Sequence, residues 1–340
     1  MNKNYFFSIF LFLFVICFVV WQLNSHKVPV QSNKLTPFRL ALDWTPNTNH
    51  TGVYVALAKG WYKEQGLDLR ILPYSPSVSS SVLVTSGKAD AGVSFIEDVV
   101  GETAKNNPLV SIGAILQHNT SGLIILKESG INRPKDFDGK IYGGYGSPFE
   151  NPIISEIIKK DGGTGDFKNI ILEIGAMQAL ETKKIDFVWI FSGWELVQAN
   201  LDGIKYNYFP LIKYGIPDSP TVVFVATPNK IKISPELLKK FMMATAQGYE
   251  YARLFPKESA QILIDQNPKD TFPNLKLVFS SQEFMSKNYV DKNKQWGIQD
   301  VKSWSGYSQF ILDSGAILGG DNKPVKKMDF TVLFTNQFLP

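Results

Sequence analysis

Within eight residues, the stretch DWTPNTNH at 43–50 sets out a carboxylate, an indole, two amides and an imidazole. Asp43 and Trp44 can hydrogen-bond to and stack on a flat ligand; they equally suit a helix cap and a core indole. Asn47 and Asn49 tolerate the backbone angles of a tight turn, and His50, standing alone, fits a structural or helix-start imidazole better than a reacting one. A second group is SGWE, where Glu195 follows Trp189 and Trp194. A carboxylate beside indoles suits a nitrogen heterocycle, whose ring stacks while an exocyclic amine donates to the acid. An acid in a helix's first turn also complements the helix dipole. The third is GGYGSP at 143–148, with Gly144, Tyr145 and Ser147. It lacks the Lys and Ser/Thr of a phosphate loop and the spacing of a dinucleotide loop, which leaves a close backbone approach to a ligand or a plain tight turn.

Other chemistries find no support in the sequence. It holds no GxSxG, HExxH or CxxC pattern and three histidines, so a metal or triad enzyme is not expected and neither a metal nor a cofactor is assigned. The formal net charge of +4 over 340 residues comes without a long basic run, which argues against a nucleic-acid partner.

These residues need elements to hold them. FRLALDW reads as a buried strand, TGVYVALAKGWYKEQG as a helix stopped at Gly66, and LDLRILPY as a strand ending at Tyr74. A helix over SVSSSVLVTSGKAD, a short strand AGVSF followed by Glu97, the helix IEDVVGETAKNN and the strands LVSIGAILQHN and SGLIILK complete a first α/β unit. The alternation restarts with KIYGGYG and the helix NPIISEIIKKDGG, and runs through NIILEIG, QALETKKID, FVWIFSG and WELVQANLDG. A loop rich in Tyr and Pro, the strand TVVFVATP and the long helix SPELLKKFMMATAQGYEYARLFP follow, and the rest is mostly helical. Strand–helix alternation predicts parallel α/β sheets, and the restart predicts two lobes with a cleft. In open α/β sheets ligands bind at the carboxyl ends of strands, which is where these polar and aromatic loops fall.

Residues 1–27 are set apart by the apolar run FFSIFLFLFVICFVVW, which reads as a signal peptide or membrane anchor. The only cysteine, Cys17, follows Ile16 rather than a small residue, which disfavours lipidation. Residues 28–37 read as a linker. The mature part is expected outside the cytoplasmic membrane and has no cysteine to form disulfides.

In order and spacing, DWTPNTNHTGVYVALAKGWYKEQGLDL, GAILQHNTSG, PKDFDGKIYGGYGSP, DFVWIFSGWE, GYEYARLFP and FTNQFLP resemble the thiamine-precursor-binding proteins of ABC importers, within the NMT1/THI5-like domain family. The resemblance covers residues 38–340. It implies a type II periplasmic-binding fold: lobe 1 from 38–122 and 224–340, lobe 2 from 123–223, and two hinge crossings near Ser121–Leu126 and Pro220–Thr227. It implies an aminopyrimidine ligand, formylaminopyrimidine or hydroxymethylpyrimidine, with ABC permease and ATPase subunits as partners and membrane association if the leader is retained. Trp44, Asn49, His50 and Glu195, with Tyr145 and Ser147, carry over as ligand contacts. Phe191 and Ser192 stand where such proteins often have two tyrosines. The alternatives on this scaffold are a synthase that uses His50 as a reactant, or a binder of riboflavin or a sulfonate. Such synthases carry a cysteine-rich motif in their second half, and residues 151–340 contain no cysteine.

Overall fold

The computed structural model describes residues 34–172, 175–291 and 295–340, so the apolar leader, Cys17 and most of the linker lie outside the described residues. Among the described residues ten strands form two sheets: β1 Thr36–Ala41, β2 Leu67–Leu72, β3 Ala91–Ser94, β4 Val110–Ala114, β5 Ser121–Leu126, β6 Ile141–Gly144, β7 Lys168–Ile171, β8 Phe187–Phe191, β9 Tyr206–Pro210 and β10 Val223–Ala226. The first sheet runs β2-β1-β3-β10-β4 and the second β7-β6-β8-β5-β9. β1 and β3 are parallel, whereas β10 lies antiparallel between β3 and β4. The second sheet repeats the plan, with β6 parallel to β7 and β8 and with β5 antiparallel between β8 and β9. Central strands are buried on both faces, which is why FVWIF, SGLIIL and VFVA read as continuous apolar runs.

Seven helices matter to the site: α1 Thr51–Ala58, α2 Ser80–Thr85, α3 Ile96–Ala104, α4 Glu150–Lys160, α5 Pro235–Leu254, α6 Leu275–Ser286 and α7 Val301–Asp313. Aromatic packing anchors each lobe. Phe38 stacks on Phe241 at 4.5 Å and Tyr249 on Trp296 at 4.4 Å around the first sheet, while Phe137 stacks on Phe187 at 4.5 Å in the second. No described helix is long and apolar enough to cross a membrane.

The sheets are mixed where the sequence reading expected parallel ones, because β5 and β10 run antiparallel to their neighbours, and the structure departs from that reading in further places. The expected continuous helix over 51–66 breaks after α1, because Gly60 takes φ +80° and starts a separate turn at Trp61–Glu64. The long helix ends at Leu254, and Pro256 opens a new one, Pro256–Asp265. Part of the expected Tyr/Pro loop is β9, an edge strand on β5, where Pro210 sits at the strand end and needs no donor. The two stretches expected to cross between lobes contain β5 and β10 themselves, so the chain passes between the sheets just before each. There the segments pair with one another, Ile115 N–H donating to Val222 O at 2.8 Å and Thr221 N–H to Leu116 O at 3.0 Å.

α1 and α5 approach so closely that a Cβ on Gly248 would lie 1.9 Å from the carbonyl oxygen of Gly52. In an exposed helix, Gly→Ala stabilises by about 1 kcal/mol. Here the neighbour is backbone and cannot turn aside, so overpacking at about 1–3 kcal/mol or more wins. Gly248→Ala is expected to lower stability in urea denaturation; an unchanged or higher midpoint would show that the two helices can part freely.

Candidate functional site

Between the sheets lies a cavity of about 350 Å³, within the range of small-molecule sites. The loop after β1 supplies one wall. Asn47 shapes it: its side-chain oxygen accepts from Asn49 N–H at 2.8 Å, and its own N–H donates to Nδ1 of His50 at 3.2 Å. With Nδ1 accepting, the proton of the neutral ring sits on Nε2, which donates to Asp43 Oδ1 at 2.7 Å. His50 is fully buried behind Asp43 and does not line the cavity; it orients the acid.

Trp44 lies against Tyr74 at 5.0 Å and meets Tyr145, from the opposite lobe, edge-on at 6.4 Å. Tyr74 braces the indole from outside the lining. Gly144 is outside it too: a Cβ there would come within 2.5 Å of Oε2 of Glu150, so this glycine makes room for a carboxylate of the protein itself. The other ten expected residues, Asp43, Trp44, Asn47, Asn49, Glu97, Tyr145, Ser147, Trp189, Trp194 and Glu195, share the one cavity.

The lining also contains Phe191, noted in the sequence as a departure from the resembling proteins, and residues absent from the sequence reading, among them Phe95, Asp98, Phe149, Glu150 and Met285. Phe95 and Asp98 flank the Ile96–Glu97 pair at the start of α3. Glu150 was legible as the last residue of Ser147-x-x-Glu150, the spacing at which an acid reaches back to the backbone before its helix. Met285, on α6, is distant in sequence from every other wall.

Five carboxylates line the cavity, from Asp43, Glu97, Asp98, Glu150 and Glu195, and no Lys, Arg or His side chain does among the described residues. Burial pushes Glu97 up to about 7, against the hydroxyl that Tyr307 of α7 donates to it. Burial likewise pushes Asp98 up to about 6, although Ser94 Oγ donates to it at 3.1 Å. Glu195 sits in a π-helical turn, Ser192–Leu196; burial raises it, and the N–H of Phe191 donates to its Oε2 at 3.0 Å. Each acid is thus held by its own donor, as buried charges require.

The two walls also meet away from the crossings. Ser281 of α6 donates to the carbonyl of Gly193 in the SGWE turn, and its Oγ lies 2.5 Å from Thr48 Oγ1 in the first loop. Tyr289 OH fixes the same loop by donating to Thr48 O at 2.8 Å. Among the described residues no group of three or more His, Cys, Asp or Glu is placed to hold a metal ion.

Comparison with known proteins bears on the family and the fold. A formylaminopyrimidine-binding protein of Halalkalibacterium halodurans is 27% identical over 277 residues, which cover 79% of this chain and 83% of the relative. A 4-amino-5-hydroxymethyl-2-methylpyrimidine phosphate synthase of Legionella pneumophila is also 27% identical, over 306 residues covering 88% and 92%. The alkanesulfonate-binding protein of Xanthomonas axonopodis pv. citri superposes with a TM-score of 0.62 at 13% identity, over 84% of this chain and 96% of that one. That likeness establishes the two-lobed periplasmic-binding fold. Residues 47–259, more than half of the 340, match the family described as NMT1/THI5 like, and the chain belongs to that family.

Proposed function

We propose that this protein captures a thiamine-related aminopyrimidine outside the cytoplasmic membrane and presents it to an ABC importer. The observation that carries the reading is the cleft's chemistry: aromatic walls from Trp44, Phe95, Tyr145, Trp189, Phe191 and Trp194 enclose hydrogen-bond acceptors, with no basic side chain among the lining. A flat ring bearing exocyclic amines complements both features, since it stacks on the aromatics and donates to the acids. A sulfonate would enter a buried, low-dielectric site lined by carboxylates and unopposed by any cation, where like charges repel strongly.

The same features weigh against a synthase. The imidazole of His50 is fully buried, with both nitrogens engaged by Asn47 and Asp43. A group that must react with a substrate needs to reach the cavity, and this one stands behind the wall. Glu195 and Asp43 serve as acceptors for the ligand's amines, Asp43 being aimed by His50. The apolar leader supplies the export signal or anchor that such a role needs.

Calorimetry with 4-amino-5-hydroxymethyl-2-methylpyrimidine and formylaminopyrimidine, followed by product analysis, tests the reading. Binding without turnover is expected; turnover at a catalytic rate, or no heat with either compound, would overturn it. Glu195→Gln keeps an acceptor for the N–H of Phe191 and loses the charge that strengthens a ligand's hydrogen bond. It is expected to weaken binding by about tenfold to a hundredfold, on the order of 1–3 kcal/mol, with the unliganded melting temperature nearly unchanged. Equal affinity with a much lower Tm would make Glu195 a purely structural residue.

The buried acids also fix a pH dependence. Glu97 and Asp98 bind protons more tightly folded than unfolded, so their contribution is complete below the unfolded carboxyl range and is lost as pH rises through about 6 and about 7. His118, raised by Asp218 and Asp291, contributes with the same sign. Carboxyls that the fold lowers, such as Asp90 and Asp161, are ionised in both states above pH ~5 and add no slope there. Unliganded stability in urea is therefore expected to fall by a few kcal/mol between pH ~5 and ~8, and Glu97→Gln to flatten the fall. A rise over that window would contradict the assignment.

A further inference from the structure

The glycine loop carries more than a wall of the cleft. After β6 the chain runs Gly144-Tyr145-Gly146-Ser147 and then enters α4, an 11-residue helix. Gly146 takes φ +87°, and a left-handed residue in such a run turns successive N–H groups toward one point, making an anion-binding concavity. The start of α4 adds the positive end of a helix dipole. An anion already occupies this concavity, and it belongs to the chain. Tyr145 N–H donates to both carboxylate oxygens of Glu150, at 3.2 and 3.1 Å, Ser147 N–H donates to Oε1 at 3.2 Å, and the Gly146 N–H faces the group as well. Glu150 is buried, at 5% exposure, and borders the ligand cavity.

We propose that Glu150 is a specificity-determining residue that makes the cleft take an unphosphorylated pyrimidine, its carboxylate filling the concavity that a phosphate monoester would need. The proposal rests on the aminopyrimidine reading above. A phosphate entering the cleft finds the loop's N–H groups spent on Glu150 and meets Asp43, Glu97, Asp98 and Glu195, with no Lys or Arg in the lining to offset them. Gly144 completes the device, because any side chain there would collide with Glu150 Oε2 and push the carboxylate from its seat.

The test compares 4-amino-5-hydroxymethyl-2-methylpyrimidine with its phosphate monoester by calorimetry on the full chain and on Glu150→Gln and Glu150→Ser. The parent is expected to prefer the alcohol. Glu150→Gln, which retains one acceptor oxygen but no charge, is expected to narrow that preference by about tenfold to a hundredfold. Glu150→Ser empties the concavity and is expected to gain a rise in Tm with inorganic phosphate, over chloride at equal ionic strength, that the parent lacks. A monoester that binds the parent as tightly as the alcohol, or a preference unchanged in Glu150→Gln, would overturn the proposal. If neither pyrimidine binds the parent, the aminopyrimidine reading fails and inorganic phosphate alone decides. A phosphate-specific rise in either variant then supports Glu150 as the occupant, and no rise in both overturns it. If Glu150→Ser does not fold, Glu150→Gln decides by the same measurements.

Discussion

Five carboxylates must be kept out of bulk water at the seam between two sheets, with no Lys, Arg or His side chain in the cavity lining among the described residues. An unpartnered buried carboxylate is among the most expensive groups a fold can hold, and this constraint explains much of what surrounds the cleft. Each acid has a dedicated donor: His50 for Asp43, Tyr307 for Glu97, Ser94 for Asp98, the N–H groups of Tyr145 and Ser147 for Glu150, and that of Phe191 for Glu195. The donors are an imidazole, hydroxyls and backbone amides. They satisfy hydrogen-bonding capacity while cancelling little charge, so the cleft keeps an excess of acceptors.

How far the sequence exposed this arrangement depended on whether a feature was local. Strand-end loops follow from alternating apolar and polar runs, and Trp44, Tyr145 and Glu195 stand out because they interrupt apolar segments with residues that a core does not need. His50 was misread for a physical reason: nothing in DWTPNTNH says that Asn47 will turn the chain back and seal the ring behind Asp43. Gly144 looked like a ligand contact because a glycine marks close approach without saying what approaches. β9 escaped because an edge strand of YNYFP has no clean alternation and ends in proline. Tyr307 and Met285 lie far along the chain from the residues they meet, and no local pattern announces such pairings.

The glycine loop shows how one backbone shape can serve opposite ends. A run of N–H groups before a helix is an anion site on any fold. Whether it takes a substrate's phosphate or a side chain is decided by the residue three places past Ser147, a choice of one carboxylate. A change at such a loop can alter what a cleft accepts without a change of fold.

A protein that captures and releases must also open without stranding charge. Asp43, Glu97 and Asp98 are satisfied from the first sheet's side of the cleft, and Glu150 and Glu195 from the second's. Separation of the sheets would break the Ser281–Gly193 hydrogen bond and the Trp44–Tyr145 and Phe95–Phe191 ring contacts. All of these are neutral. The strand pairing at Ile115–Val222 and Leu116–Thr221 lies at the pivot and would survive a small rotation. No carboxylate of the cleft loses its partner in that movement, so the open state carries no unpaired buried charge. The balance between open and closed is then small enough for the contacts of one ligand to tip it, which is the energetic requirement for a reversible carrier.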